Sequence, residues 1–280
     1  MAMTKGIPAS RYADKIYYRS YIAMDGGYCY GDIQEYSVKQ YCESRFEKTE
    51  DANLKPLLAA ILHYGSAAQN YFGYKPDALV NADMGSYVER GWIDADLLNM
   101  NWDEKFLIPL VKPTEDMAQN FAASGTLPAV SKSLLLEGAI SVNYYATFGE
   151  DAGVFADAEN VIMCFWTAED YVKLLGKGTP MSAENASYTV KPEMVYSDEH
   201  GWEYKVTSQS IPAACWGDSV YSALCVTDSE GVEHCSGIIT YSPARFAYNK
   251  LNDEEQSSID ELVKWMTIYC DRAKTYFNNQ

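Results

Sequence analysis

A stretch near the start of the chain is written again near its end, and that repeat limits the fold more than any other feature. Ile7-Pro8-Ala9 returns as Ile211-Pro212-Ala213, and Asp14 and Tyr17 return as Asp218 and Tyr221, at an offset of 204 residues. A glycine turn follows in both copies, at Gly26 and Gly231, and the second copy gains one residue. Beyond the turn Ile33, Tyr36 and Ser37 return as Ile238, Tyr241 and Ser242, at an offset of 205. At that offset Leu57, Tyr64, Ala68, Tyr71 and Phe72 return as Leu262, Tyr269, Ala273, Tyr276 and Phe277. One insertion placed in a turn explains the register change, so two copies of one supersecondary unit are expected.

Within the first copy, Lys15 to Ala23 alternates, with Ile16, Tyr18, Ser20 and Ile22 on one side and Tyr17, Arg19 and Tyr21 on the other. That is a strand pattern. Asp25-Gly26-Gly27 is a turn signal, and Tyr28 to Tyr36 returns as the partner strand. Ser37 with Gln40 three residues on reads as a capping box opening a helix from Val38 to Lys48. In the second copy Ser242 is the cap and Pro243 takes the first helical position, where its missing N–H costs nothing. A second helix spans Ala52 to Phe72, with Leu54, Leu57, Leu58, Ile61, Tyr64, Gly65, Ala68, Tyr71 and Phe72 forming one apolar stripe. Ile61 lies on that stripe and Leu62 beside it, so Ile61 is the one expected in the core. The counterpart stripe runs from Ile259 to Phe277. Gly65 is unfavourable in a helix interior by up to about 1 kcal/mol relative to Ala, and close packing is the expected reason for it. Gly73 and Pro76 end the helix.

Residues 75–117 are less regular and are expected to form a linker, with a short helix near Ile93 to Asn99. From Ala118 the pattern turns to strands: Ser133 to Leu136, Ala139 to Phe148, Val161 to Thr167, Tyr188 to Tyr196, Trp202 to Ser208, Ser219 to Thr227 and Val232 to Tyr241. Tyr171 to Leu175 reads as a short helix or edge segment. About seven short strands separated by turn signals suggest a two-sheet sandwich of immunoglobulin-like architecture. The expected fold class is α+β, an antiparallel β-sandwich followed by an αα-hairpin, with a truncated first copy of the hairpin-plus-helices unit. The expected divisions are 1–74 for the truncated copy, 75–117 for the linker and 118–280 for the complete unit. No strands precede the first copy in this chain. Its apolar face of Ile16, Tyr18 and Ile22 is therefore expected either to dock on strands between Leu134 and Ser208 or to remain an edge, through which molecules self-associate or which residues upstream of Met1 in a longer protein complete.

The 280 residues carry a net charge of −17, which opposes binding to nucleic acid or an anionic membrane. No apolar run is long enough to span a membrane. Tyrosine, at 23 residues against 9 Phe and 6 Trp, suits half-buried strands and surfaces that touch other molecules. Seven cysteines cannot all pair within one molecule, and no C-x-x-C spacing points to zinc or thioredoxin-type chemistry. Met1-Ala2-Met3-Thr4-Lys5-Gly6 is no secretory leader, so either a cytosolic protein or a piece of a longer secreted one is expected.

Several runs carry a resemblance: Ile7-Pro8-Ala9, Tyr36-Ser37-Val38-Lys39-Gln40-Tyr41, Leu62-His63-Tyr64-Gly65-Ser66-Ala67-Ala68-Gln69-Asn70-Tyr71-Phe72-Gly73-Tyr74 and Leu135-Leu136-Glu137-Gly138-Ala139-Ile140-Ser141-Val142-Asn143. They resemble a repeated module of large secreted or wall-attached proteins of anaerobic Gram-positive bacteria. In that module a β domain precedes a YSVK-x-Y helix start and a YGAAAQ-x-YFGY helix. The likeness covers most of the chain outside Lys75 to Met117. The second copy departs from it, with Tyr269-Cys270-Asp271-Arg272-Ala273-Lys274 in place of the small-residue run. The resemblance implies an extracellular accessory or structural role with nothing catalytic, and partners among other repeat modules or cell-surface components.

Candidate chemistry is sparse. His63, His200 and His234 are the three histidines, and none belongs to a nucleophile, phosphate-cradling or metalloprotease motif. Asp94, Asp96, Asn99, Asn101 and Asp103 are closely spaced oxygen donors, but the glycine and terminal glutamate of an EF-hand loop are misplaced, leaving Asp94, Asp96 and Asp103 a weak calcium candidate. No cofactor is expected. The rival to a structural or adhesive role is carbohydrate binding through Trp166, Trp202 and Trp216 with Tyr144 and Tyr196. Tryptophan in a sandwich is more often core, and alternation along Tyr144 to Phe148 does not tell core from surface, because both faces carry aromatics. With Ser229-Glu230-Gly231 as a three-residue loop Cys225 faces Cys235 and a disulfide can form, whereas a two-residue loop puts their side chains on opposite faces.

Overall fold

The structure, a computed structural model, describes residues 6–102, 130–147, 161–227, 231 and 233–279. It is mixed α and β, with every strand pairing antiparallel among the described residues. In chain order the strands are β1 (Ile16–Tyr18), β2 (Tyr21–Met24), β3 (Gly27–Tyr30), β4 (Gln34–Tyr36), β5 (Val130–Leu135), β6 (Ser141–Thr147), β7 (Val161–Trp166), β8 (Tyr188–Val190), β9 (Glu193–Ser197), β10 (Gly201–Thr207), β11 (Val220–Thr227), β12 (Glu233–Cys235) and β13 (Ile239–Tyr241). The helices are α1 (Val38–Lys48), α2 (Leu54–Tyr71), α3 (Met84–Glu89), α4 (Ala168–Lys177), α5 (Pro243–Leu251) and α6 (Asp260–Asn278). The chain divides into two compact units, Met1–Phe106 with Lys250–Gln280, and Leu107–Asn249.

That division differs from the expected one at 1–74, 75–117 and 118–280. The last helix, expected to follow the sandwich, belongs to the first unit and packs along α2. The two helices are the repeat's equivalent pair. Tyr64 stacks on Tyr269 at 5.6 Å between ring centroids, and His63 on Trp265 at 4.1 Å. Each copy's apolar stripe thus covers the other's. The described part of the expected linker is packed structure: Val80, Met84, Tyr87, Ile93, Leu97 and Met100 are buried. Gln69 binds this segment through both ends of its amide, its Oε1 accepting from Val80 N at 2.7 Å and its Nε2 donating to Ala78 O at 3.1 Å and to Lys75 O at 3.5 Å.

This cover changes α2 from a one-faced helix to a central one. Leu62, off the apolar stripe, is fully buried, and Ile61, on the stripe, is only half-buried. The expected order of the two is therefore reversed. Gly65 behaves as its stripe position suggests. A Cβ there would lie 2.8 Å from Tyr12 Cδ2, 2.9 Å from Val80 Cγ1 and 3.2 Å from Ala9 O.

The repeat is reproduced pair by pair. β1 pairs β4 with Ile16 opposite Tyr36, and β11 pairs β13 with Val220 opposite Tyr241. β2 pairs β3 with Tyr21 opposite Tyr30, and β11 pairs β12 with Cys225 opposite Cys235. Between these ladders Gly31 N donates to Ser20 O at 3.0 Å, and Ser236 N to Leu224 O at 2.8 Å. Lys39 N donates to Tyr12 O as Ala244 N does to Trp216 O. Both helix starts are capped, Ser37 Oγ accepting from Gln40 N and Ser242 Oγ from Arg245 N, each at 3.1 Å. The reciprocal half of the first capping box is not made, because Gln40 Nε2 turns to Glu35 Oε1 at 3.0 Å.

In the second unit β5-β6-β10-β9 form one sheet and β12-β11-β7-β8 another, with β13 also on β11. Val142 and Tyr144 of β6 and Val206 of β10 meet Met163 and Phe165 of β7 and Leu224 and Val226 of β11 in one buried cluster. The outer face of the second sheet is buried too, where Cys164, Trp166, Tyr221 and Cys225 pack with Tyr171 of α4. Burial on both faces explains why Val161 to Trp166 is a continuous apolar run instead of an alternating one. The single strand expected over Tyr188 to Tyr196 is two: β8 pairs β7 in one sheet and β9 pairs β10 in the other. Pro192 stands at the switch, and proline cannot donate to a ladder. α4 starts at Thr167, whose Oγ1 accepts from Asp170 N at 3.1 Å.

The ribbon β1–β4 is the exception to this burial. Among the described residues β1 pairs only with β4 and β2 only with β3. In the first unit Tyr17, Tyr18, Tyr21, Ile22, Tyr28 and Tyr30 stand exposed.

Candidate functional site

Tyrosines converge on a cleft of about 650 Å³ in the first unit. Ile7 and Tyr12 reach it from either side of a short 3-10 turn, Ala9–Arg11. Ile16 and Tyr18 come from β1, Tyr36 from β4, Val38 and Tyr41 from α1, Ile61 from α2 and Tyr269 from α6. The turn is anchored by Asp14, which accepts from Tyr74 Oη at 2.6 Å and from Lys75 Nζ at 2.7 Å. Burial pushes the Asp14 carboxyl up, but the bonds from Lys75 and Tyr74 outweigh it and leave the group below its ordinary range. Burial raises the phenols of Tyr12 and Tyr36 and pushes Tyr269 up to about 12. These rings are uncharged at neutral pH. The volume suits a small ligand or several side chains of a partner, and the lining offers ring and aliphatic surface.

The exposed ribbon continues this surface. Tyr21 lies 5.5 Å from Tyr28 and 6.3 Å from Tyr30 between ring centroids, and the Arg19 guanidinium sits 3.7 Å from the Tyr30 centroid. The Tyr21–Tyr30 pair stands where the second copy has Cys225 and Cys235, which are joined as a disulfide. The strand register puts these cysteines opposite each other.

The carbohydrate candidates separate into two groups. Trp166, Tyr144 and Trp216 are 0, 1 and 4% exposed and belong to the interior. Trp166 Nε1 donates to Asn185 Oδ1 at 2.9 Å, and Trp216 Nε1 to Ile211 O at 2.8 Å. These three are excluded as stacking platforms by burial. Trp202 and Tyr196, at 59 and 62% exposed, are opposite each other on β10 and β9, with ring centroids 5.5 Å apart and planes at 70°. By alternation Trp202 shares the side of β10 that carries Tyr204 and Val206, but the buried cluster ends at Tyr204.

Only part of the acidic candidate lies among the described residues. Asp94 precedes the 3-10 turn Ala95–Leu98 and Asp96 lies in it, while Asp103 lies outside the described residues. No group of three or more metal-ligating side chains comes together among the described residues. His63 is a core residue. Its Nε2 lies 2.9 Å from Leu97 O and its Nδ1 3.1 Å from Asn81 Nδ2. The carbonyl can only accept and the amide nitrogen only donate, which selects the neutral Nε2–H tautomer. Burial depresses its pKa.

Sequence reasoning found the uncovered face of Ile16, Tyr18 and Ile22 but not the cleft. The missing signal was present in the repeat: Ile7, Ile16, Tyr36 and Tyr41 correspond to Ile211, Val220, Tyr241 and Phe246, which pack in or against the buried core cluster of the second unit. The chain matches no family model, no characterised protein and no solved structure.

Proposed function

We propose that this chain is a structural and adhesive module of a bacterial extracellular surface protein. In this reading the second unit is a sandwich of immunoglobulin-like architecture, and the first unit is an incomplete copy of the same hairpin-and-helix design. The observation that carries it is one unit built twice, with the face that is core in the second copy left as an exposed aromatic surface in the first. Exposed apolar patches on otherwise packed proteins mark sites of association. The Cys225–Cys235 bridge supports an oxidising compartment. The test is surface labelling of intact producer cells with a membrane-impermeant amine reagent. Labelling before lysis supports the reading, and protection until lysis refutes it.

A second reading, carbohydrate binding, rests on the Tyr196–Trp202 pair. Two exposed rings at a steep angle offer one face to stack on a sugar and one edge to flank it. A glycan array with the intact chain and with Trp202→Ala decides it. A signal lost in the variant supports binding there, and an unchanged or absent signal removes this reading.

A further inference from the structure

The second copy shows what covers the face that the first copy leaves open. There β11 is paired on one side by β12 and β13 and on the other by β7. The pairing with β7 runs from Tyr221 opposite Trp166 to Val226 opposite Val161. At the repeat offset these β11 positions are Tyr17 to Ile22 of the first copy. That segment has its β12 and β13 equivalents, β3 and β4, but no strand in the place of β7 among the described residues. Among the described residues this edge is therefore open along its length, with its hydrogen-bonding groups unpaired by any described strand.

The cleft repeats the argument in side chains. Four of its residues, Ile7, Ile16, Tyr36 and Tyr41, are equivalent to Ile211, Val220, Tyr241 and Phe246. All four equivalents pack in or against the core cluster that Val142, Tyr144, Met163, Phe165 and Val206 fill from β6, β7 and β10. In the second copy, then, the space corresponding to the cleft is occupied by apolar side chains of a sandwich. The chemistry of the lining agrees, because it consists of phenol rings and aliphatic side chains and carries no acidic or basic residue.

We propose that the cleft and the open edge of β1 and β2 are one docking surface, whose occupant is the strand layer of another β-sandwich unit. That partner adds an antiparallel apolar strand of β7 character along Tyr17 to Ile22 and inserts apolar side chains among Ile7, Ile16, Tyr36 and Tyr41. The mode is strand addition, in which main-chain bonds give affinity and alternate side chains give specificity. β7 of a folded second unit in another molecule cannot be that strand, because it is already paired on both sides by β8 and β11. The proposal goes beyond the surface-protein reading and stands without it, since the cell-labelling result leaves the strand-addition result unaffected.

The probe is a synthetic peptide carrying the Val161–Trp166 sequence between lysine flanks, with serine for Cys164, and a scrambled peptide of the same composition. Hydrogen exchange is followed on the intact, disulfide-bonded chain. At a peptide concentration about ten times its dissociation constant, exchange of amides within Tyr17 to Ile22 slows roughly tenfold, and the scrambled peptide has no effect. Ser20 O already accepts from Gly31 N inside the ribbon, so the neighbouring Arg19 N–H points to the open edge. Arg19→Pro removes that donor without breaking a ribbon bond and abolishes the protection. Far-UV circular dichroism and the exchange of α2 amides verify that this variant folds, and Tyr21→Pro serves if it does not. Absence of protection by the matched peptide, equal protection by the scrambled one, or unchanged protection in the folded proline variant overturns the proposal. So does concentration-dependent protection of the same amides without peptide, which makes a second molecule of this chain the occupant.

Discussion

Replacing Gly65 by alanine tests how closely the N-terminal turn and the segment around Val80 approach α2. Away from other groups, Gly→Ala in a helix interior stabilises by up to about 1 kcal/mol. At Gly65 the added methyl meets Tyr12 Cδ2 at 2.8 Å, Val80 Cγ1 at 2.9 Å and Ala9 O at 3.2 Å, where carbon contacts normally fall at roughly 3.5–4.0 Å. The neighbours cannot all yield. Val80 is buried, its backbone N–H is held by Gln69, and Ala9 O already accepts from Tyr12 N. Overpacking of this kind costs about 1–3 kcal/mol, more than the helix gain, so Gly65→Ala should lose about 1–2 kcal/mol net. Gly85 in α3 has nothing within 4 Å of its ideal Cβ, and Gly85→Ala should be neutral or stabilising. Urea unfolding is the assay, read by exchange of first-unit amides because two units can unfold in separate transitions. A Gly65→Ala variant as stable as the parent, or more so, refutes the close approach.

Leu62→Ala should cost about 2–5 kcal/mol and Ile61→Ala clearly less, because Leu62 is fully buried while Ile61 lines the cleft; urea midpoints of the two variants decide, and the opposite order would falsify the packing of α2. Stability should fall on acidification below pH 6.5 because of His63. Its folded pKa is depressed by burial, so its contribution is complete above the unfolded value of about 6.5 and is lost as pH drops through the folded one. Comparing first-unit unfolding at pH 7.5 and 5.5 in the parent and in His63→Gln isolates this step, which should shrink in the variant. Thiol titration of the denatured chain without reductant should find five thiols, from Cys29, Cys42, Cys164, Cys215 and Cys270; seven removes the bridge. Reduction of Cys225–Cys235, which closes a ten-residue separation, should lower second-unit stability by about 2–3 kcal/mol on the chain-entropy account, measured by urea unfolding with and without reductant.

Local features were legible in the sequence because their causes are local. The caps at Ser37 and Ser242, the hairpin turn at Gly26 and the end of α2 at Gly73 each depend on a few neighbouring residues. The repeat offsets of 204 and 205 translated directly into matching strand register, since one insertion in a turn leaves each ladder's alternation intact. The break at Pro192 was less legible. Tyr188 to Tyr196 carries enough β-formers to read as one strand, and only the sheets on either side determine that it is shared between them.

Which residues occupy equivalent positions, and where most helices and strands begin, follow from the order of residues along the chain. Which of the equivalent positions are covered follows only from packing in three dimensions. Ile16 and Val220 have the same register and nearly the same chemistry, but one lines an open cleft and the other packs on the buried core of the second unit. Trp166 and Trp202 are both strand tryptophans, and the first is enclosed while the second overhangs the end of the core. Leu62 is buried and Ile61 only half-buried, on a helix whose His63, Gly65 and Gln69 meet Leu97 and Val80 on a side that looked free. Periodicity records the direction in which a side chain leaves its own element. Burial depends on what lies in that direction, and the partner here is supplied by residues far away in the chain or, for the first copy's open face, by no described residue.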